Sequence, residues 1–189
     1  MKRIVLFASG SGTNVENIIH YFSDNKEVEI VAVLTNRKDA KVLERCARLN
    51  VSAIYFNRHA FIETDLISDF LNGLNLDLIV LAGFLWRIPK SLIDHFPDRI
   101  INIHPALLPK YGGKGMYGMK VHEAVKENLD PETGITIHYV NEHYDEGTII
   151  TQVRIFVDAA DTPETIAQKV HSLEYEHFPR VIEKLLFKG

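Results

Sequence analysis

The chain has 189 residues, 46% of them hydrophobic and 24% charged, an ordinary balance for a globular domain with enough apolar mass for a substantial core. Its formal net charge of −4 argues against nucleic-acid binding driven by bulk charge, while leaving room for a small local anion site. No segment approaches the length of a membrane span, and the apolar run in "MKRIVLFASGSG" is too short for a signal-peptide core. The single cysteine, Cys46 in "LERCARL", has no internal partner and fits a helix-packing thiol in a reducing compartment. The expectation is one cytoplasmic domain over residues 1–189, with small-molecule substrates and neither nucleic acid nor membrane as a partner.

In chain order, apolar runs of strand length fall at "IVLFA" (4–8), "IVAVLT" (30–35), "AIYF" (53–56), "LIVLAG" (78–83) and "IINIH" (100–104), with helical spacing between them. Continuous apolar runs mean strands covered on both faces, so the fold class is α/β, a doubly wound, Rossmann-like, mostly parallel sheet. After Pro105 the rhythm changes. A Gly-rich loop "KYGGKGMYGM" leads to a short helix near Val121–Asn128, and then to two alternating strands, "GITIHYVN" and "TIITQVRIFV". Their direct succession predicts an antiparallel pair. "DTPETIAQKVHSLEYEHFPRVIEKLLF" closes the chain as one long or Pro-kinked helix, started by Asp161 or Thr162 with Pro163 in its first turn.

Three places carry candidate chemistry. The turn "ASGSGTN" (8–14) has two glycines for a sharp bend and then opens a helix, whose free N–H groups and dipole favour an anion. It reads either as a phosphate cradle or as a capped tight turn, and its place after the first strand favours binding. It is not a dinucleotide fingerprint, because Val15 occupies the third glycine position. The second place is the last parallel strand, where Asn102 and His104 share one face and Pro105 ends the run. They are either satisfied core residues or a polarising amide and an acid/base at the carboxyl end of the sheet. The third is Asp145 in "NEHYDEG", a turn residue or the carboxylate that orients His104 and raises its pKa.

No Ser, Cys or Lys nucleophile stands beside this trio, which suits direct acyl transfer between two bound substrates, with Asn102 and His104 stabilising the oxyanion. Nine histidines raise the question of zinc, but H-E-x-x-H is absent and His104, His122, His138 and His143 lack ligand spacing, so no metal is expected. The remaining histidines read as surface or packing residues.

"FASGSGTN", "VLAGF", "NIHPALLPKY", "IHYVNEHYDEG" and "HSLEYEHFP" occur in an order that resembles the phosphoribosylglycinamide formyltransferase family of folate-dependent formyltransferases, across nearly the whole chain. The resemblance implies transfer of formyl from 10-formyltetrahydrofolate to the amine of 5'-phosphoribosylglycinamide in purine synthesis, without a metal. It implies catalysis by Asn102, His104 and Asp145. It assigns Gly12, Thr13 and Asn14 to the ribose phosphate and Glu174 to the glycinamide end. The folate would lie against Leu85, Trp86, Arg87 and Ile88, against Asn102, and against Asn141, Glu142, His143, Tyr144 and Asp145. Three departures bear on that folate pocket: Trp86 stands where the family often has Arg, with Arg87 one later; Thr64 stands where an Arg often follows the third strand; and "GGKGMYGMKVH" is longer than usual.

The alternatives are a methionyl-tRNA formyltransferase, which needs a second, basic domain, and a formyltetrahydrofolate hydrolase, which usually carries a regulatory domain before the first strand. A non-catalytic sugar-phosphate module would leave Asn102, His104 and Asp145 without a role. Nothing in the sequence chooses between monomer and homodimer.

Overall fold

A computed structural model describes residues 1–187. The chain runs β1 (Lys2–Phe7), α1 (Thr13–Phe22), β2 (Val28–Thr35), α2 (Lys41–Arg48), β3 (Ala53–Tyr55), α3 (Leu66–Asn72), β4 (Leu78–Leu81), α4 (Lys90–His95), β5 (Ile100–His104), α5 (Met119–Glu127), β6 (Glu132–Tyr139), β7 (Ile149–Phe156) and α6 (Pro163–Leu186). A π-type turn at His59–Glu63, not expected from the sequence, sits between β3 and α3.

The strands form one seven-stranded sheet in the order β3-β2-β1-β4-β5-β6-β7. Pairing is parallel from β3 to β5 and antiparallel from β5 to β7. The apolar runs behave as their composition demands. Ile4 and Leu6 face one side of the sheet and Val5 and Phe7 the other, and all four are out of water. The first side packs on α1, α2, α5 and α6; the second packs on α3, α4 and an aromatic group of Phe7, Phe56, Phe61 and Phe84. Cys46 is fully buried in α2, and burial raises its thiol to about 11, consistent with a packing role.

The last element is a single helix. Thr162 caps it, exchanging hydrogen bonds with Thr165, and Pro163 fits the first turn because its missing N–H would have had no partner. Pro179 lies buried within it.

Two facts of this fold position the site. First, the chain leaves β1 toward β2 and β3 and returns to β4 and β5 on the other side, so β1 and β4 flank the point where open α/β sheets leave a crevice at their carboxyl ends. Second, β6 runs against β5, which sets Asn102 directly opposite His138 and His104 opposite Thr136. The β6–β7 pair that locks this register leaves no room for a side chain at Gly134, where a Cβ would sit 1.9 Å from the Val153 carbonyl oxygen. Gly134→Ala is therefore expected to destabilise the protein by about 2 kcal/mol or more, read as a lower urea midpoint, because the ladder itself must shift.

Candidate active site

A cavity of about 590 Å³ opens at the carboxyl ends of β1, β4 and β5, within the range of small-molecule sites. It is lined by the turn after β1 (Gly10–Asn14), the turn after β4 (Ala82–Leu85), the end of β5 (Asn102–Pro105), the loop Gly113–Gly118, Asp145, and His171 and Glu174 of α6. The chain thus gathers the cradle, the β5 pair, Asp145 and Glu174 around one volume.

In the cradle, Gly12 adopts left-handed φ of 73° at the start of α1, and no side chain caps that helix, so its first N–H groups are left for a ligand. The glycine is needed for a further reason that sequence inspection missed: a Cβ there would meet Val42 Cγ2 of α2 at 2.4 Å. Asn14 turns its amide onto Glu174, Nδ2 to Oε2 at 2.9 Å, joining the two parts of the expected ribonucleotide site. The Asn14 Oδ1 atom is buried without a protein partner. Burial raises the Glu174 carboxyl above its ordinary pKa, against the Asn14 hydrogen bond and the His171 charge, which both lower it.

At the end of β5, His104 is 4% exposed. Its Nε2–H donates to the Tyr111 carbonyl at 2.7 Å, and Nδ1 lies 3.5 Å from Asp145 Oδ2. The carbonyl can only accept, which places the first imidazole proton on Nε2. Burial pushes the His104 pKa below its ordinary value; the Asp145 charge and the Tyr111 carbonyl act in the opposite direction without prevailing. This corrects the expectation of a raised pKa: desolvation of a nearly closed site outweighs one carboxylate at 3.5 Å. Burial also works against the Asp145 charge, but His138, His104 and the Gly113 N–H, which donates at 2.9 Å, hold that carboxyl below its usual range. Asp145 itself has φ of 58°, a strained conformation for a residue with a side chain.

The expected folate residues divide. Trp86, Arg87, Ile88, Asn141 and His143 line a smaller recess of about 60 Å³ that shares Phe84, Asn102, Tyr144 and Asp145 with the main cavity, while Leu85 faces the main cavity. Glu142 lies outside both, paired with Lys90 at 3.2 Å. Trp86 packs on Phe56, Phe61 and Phe84, and the Arg58 guanidinium sits 5.8 Å from its ring centroid. The cation after β3 is thus Arg58, while the Thr64 hydroxyl bonds back to the Ala60 carbonyl. Among the described residues no cluster of His, Cys, Asp and Glu could hold a metal ion, and no helix is long and apolar enough to cross a membrane.

Comparison with known proteins shows the family. Residues 2–182 match the family described as formyl transferase. The chain belongs to the formyl transferase family. It is 40% identical to a chloroplastic phosphoribosylglycinamide formyltransferase of Arabidopsis thaliana, over 96% of this chain and 64% of that protein, so it spans a little under two thirds of that relative. It is 36% identical to the phosphoribosylglycinamide formyltransferase of Bacillus subtilis, over 98% of this chain and 95% of that one. The crystal structure of the Bacillus halodurans phosphoribosylglycinamide formyltransferase superposes with a TM-score of 0.88 at 32% identity, covering 99% of this chain and 96% of that chain.

Around this cavity and its recess, sequence reasoning passed over two histidines. His138 is buried, with Nε2 3.1 Å from Asn102 Nδ2 and 3.6 Å from Asp145 Oδ1. The strand alternation of "ITIHY" puts His138 on the face opposite Ile135 and Ile137, so the pattern alone does not mark it as inward, and its partner depends on register. His122 is also buried, with Nδ1 unpartnered, and its ring lies 6.4 Å from that of His171. Burial, then the His171 and His104 charges, lower its pKa to about 4.

The sign of the resulting pH effect is set by the unfolded chain, where His122 takes a proton below about pH 6.5, whereas the folded chain refuses it until about pH 4. Acidification across that window therefore favours unfolding, by up to about 3 kcal/mol through this group. His122→Gln is expected to flatten the fall of unfolding free energy between pH 7 and pH 4.5, measured by urea denaturation at each pH.

Proposed function

We propose that this chain transfers the formyl group of 10-formyltetrahydrofolate to the amine of 5'-phosphoribosylglycinamide, in purine biosynthesis. The observation that carries the reading is the convergence on one cavity of an uncapped helix start, a buried carboxyl at Glu174, and the Asn102, His104 and Asp145 group. The names of the relatives support the same substrates. A hydrolase would use the same donor with water as acceptor, and would have no use for the cradle.

In this reading the ribose phosphate binds the N–H groups at the start of α1, with Gly12, Thr13 and Asn14 around it, and Glu174 holds the glycinamide end. The folate ring system takes the recess by Trp86, Arg87, Ile88, Asn141, His143 and Tyr144, with Leu85 at its edge toward the main cavity. The amine lone pair adds to the formyl carbon, and the carbonyl electron pair moves onto oxygen. Asn102 and His104 stabilise that oxygen. The His104 Nε2–H now bonded to the Tyr111 carbonyl is the donor for it, because a charged acceptor outcompetes a neutral carbonyl. The proton lost by the amine goes to the folate nitrogen as the carbon–nitrogen bond to the donor breaks. Asp145, 3.5 Å from Nδ1, lowers the free energy of an imidazolium and pairs with that nitrogen once it takes a proton, while the Tyr111 carbonyl orients the neutral ring.

The deciding assay incubates the protein with 10-formyltetrahydrofolate, with and without the ribonucleotide, and follows deformylation. Transfer that depends on the acceptor is expected; acceptor-independent release of formate would identify a hydrolase and overturn the assignment. In the same assay His104→Ala is expected to lower kcat by about 100-fold or more while folate affinity is retained.

The phosphate gives a separate test. Hydrogen bonds to a charged group contribute about 1.5–3 kcal/mol each, so an acceptor lacking its phosphate is expected to have a KM raised by about 100-fold or more. Inorganic phosphate should compete with the intact acceptor and not with the folate. An unchanged KM for the dephosphorylated acceptor would reduce residues 9–14 to a structural turn.

A further inference from the structure

His138 makes two directed hydrogen bonds, and together they leave it one tautomer. Its Nδ1 lies 2.8 Å from its neighbour's carbonyl, Tyr139 O, which can only accept, so Nδ1 carries the proton. In the neutral ring Nε2 then presents a lone pair, 3.1 Å from the Asn102 side-chain nitrogen. Only the NH2 end of the amide can face that lone pair. The same nitrogen lies 3.5 Å from Asp145 Oδ1. Turning the amide over would set its carbonyl oxygen against the His138 lone pair and the Asp145 carboxylate at once, three acceptors with no proton between them.

We propose that His138 is a positioning residue, which through its Nδ1-protonated tautomer accepts one N–H of the Asn102 amide and so keeps the other, held by Asp145 only at 3.5 Å, available for the reacting formyl oxygen. The proposal rests on the formyl-transfer reading for the role of Asn102, while the tautomer and the amide orientation stand on geometry alone. The backbone is shaped to keep this arrangement. His138 is the residue directly opposite Asn102 across the antiparallel β5–β6 pair, which brings their side chains together on one face. The β6–β7 pairing shifts register between Ile137 and His138, and Gly147 lies so close that a Cβ there would be 1.7 Å from the Tyr139 oxygen that fixes the tautomer. An asparagine with no such partner has two amide orientations of similar energy, and half of them offer the oxyanion a carbonyl oxygen.

The test has two arms. Nitrogen-15 NMR of the wild-type protein at neutral pH reads the tautomer without any reaction: a protonated-type Nδ1 and an unprotonated-type Nε2 are expected for His138, and the reverse assignment overturns the proposal. The kinetic arm is a double-mutant cycle in the acceptor-dependent assay, run once wild-type transfer has been established, so that a failed functional reading and a failed role for His138 give different results. His138→Leu removes the acceptor and is expected to lower kcat by about 10- to 100-fold, with both KM values changed by less than about threefold. His138→Gln, whose side chain supplies an oxygen for Asn102 and an NH2 for Tyr139, should recover most of that loss. In an Asn102→Ala background His138→Leu should change kcat by less than about twofold, because the group it positions is gone. The full loss persisting in that background, or a failure of Gln to do better than Leu in folded protein, overturns the proposal.

Discussion

A carboxylate that is nearly out of water must be surrounded by donors, and in this fold that requirement falls on Asp145, whose side chain is 11% exposed. Two N–H groups reach its oxygens, that of Gly113 in the loop after β5 at 2.9 Å and that of the Asn102 amide on β5 at 3.5 Å. His104 Nδ1 and His138 Nε2 lie 3.5 and 3.6 Å away and can donate to it only on taking a second proton. These groups span residues 102–145 and meet only because β6 folds back along β5. The β6–β7 connection bends into a left-handed conformation at Asp145 to bring the carboxylate there, and that strain is offset by the hydrogen bonds it makes possible. Removing the carboxylate would leave the Asn102 amide and the Gly113 N–H without their common acceptor, and would leave an imidazolium at either histidine unpaired.

That shared partner also decides how the site behaves electrically. The His104 pKa lies below its ordinary value because desolvation outweighs the opposing Asp145 charge and Tyr111 carbonyl. A neutral ring with its proton on Nε2 is a donor toward the Tyr111 carbonyl and a base on its Nδ1 side, where Asp145 waits. Uptake of a second proton would give both nitrogens an acceptor. The same burial that lowers the resting pKa therefore strengthens the pairing once charge arrives, since electrostatic attraction grows as water is excluded.

The readable parts of this molecule were those governed by short-range rules. "IVLFA" and "LIVLAG" announce two-sided burial, Pro105 marks the end of β5, and Thr162-Pro163 marks the start of α6, because each depends on neighbours within a few residues. Asn102 and His104 could be paired because a strand puts i and i+2 on one face. His138 could not be joined to them from sequence: whether it faces Asn102 or Ile101 depends on the register of an antiparallel pair separated by more than thirty residues. Arg58 over Trp86 was hidden by the π-type turn after β3, which no propensity rule anticipates. The pKa of His104 was misjudged for a related reason, since the carboxylate was visible in the sequence and the depth of burial was not.

The cradle and the chemistry are separated in a way that matters for how binding is used. On the reading proposed above, the phosphate binds backbone N–H groups on α1, where Gly12 packs against Val42, whereas the reacting groups belong to β5, β6 and the β6–β7 connection. The bond between Asn14 and Glu174 links α1 to α6, which on that reading meet the phosphate and the acceptor's other end. Binding energy gathered at the phosphate can therefore fix where the amine lies without touching the formyl carbon, and only groups at the β5 end change their interactions as the oxygen gains charge. Such a division makes the phosphate a handle for orientation, and leaves the rate of the chemical step to the hydrogen-bond donors assembled around Asp145.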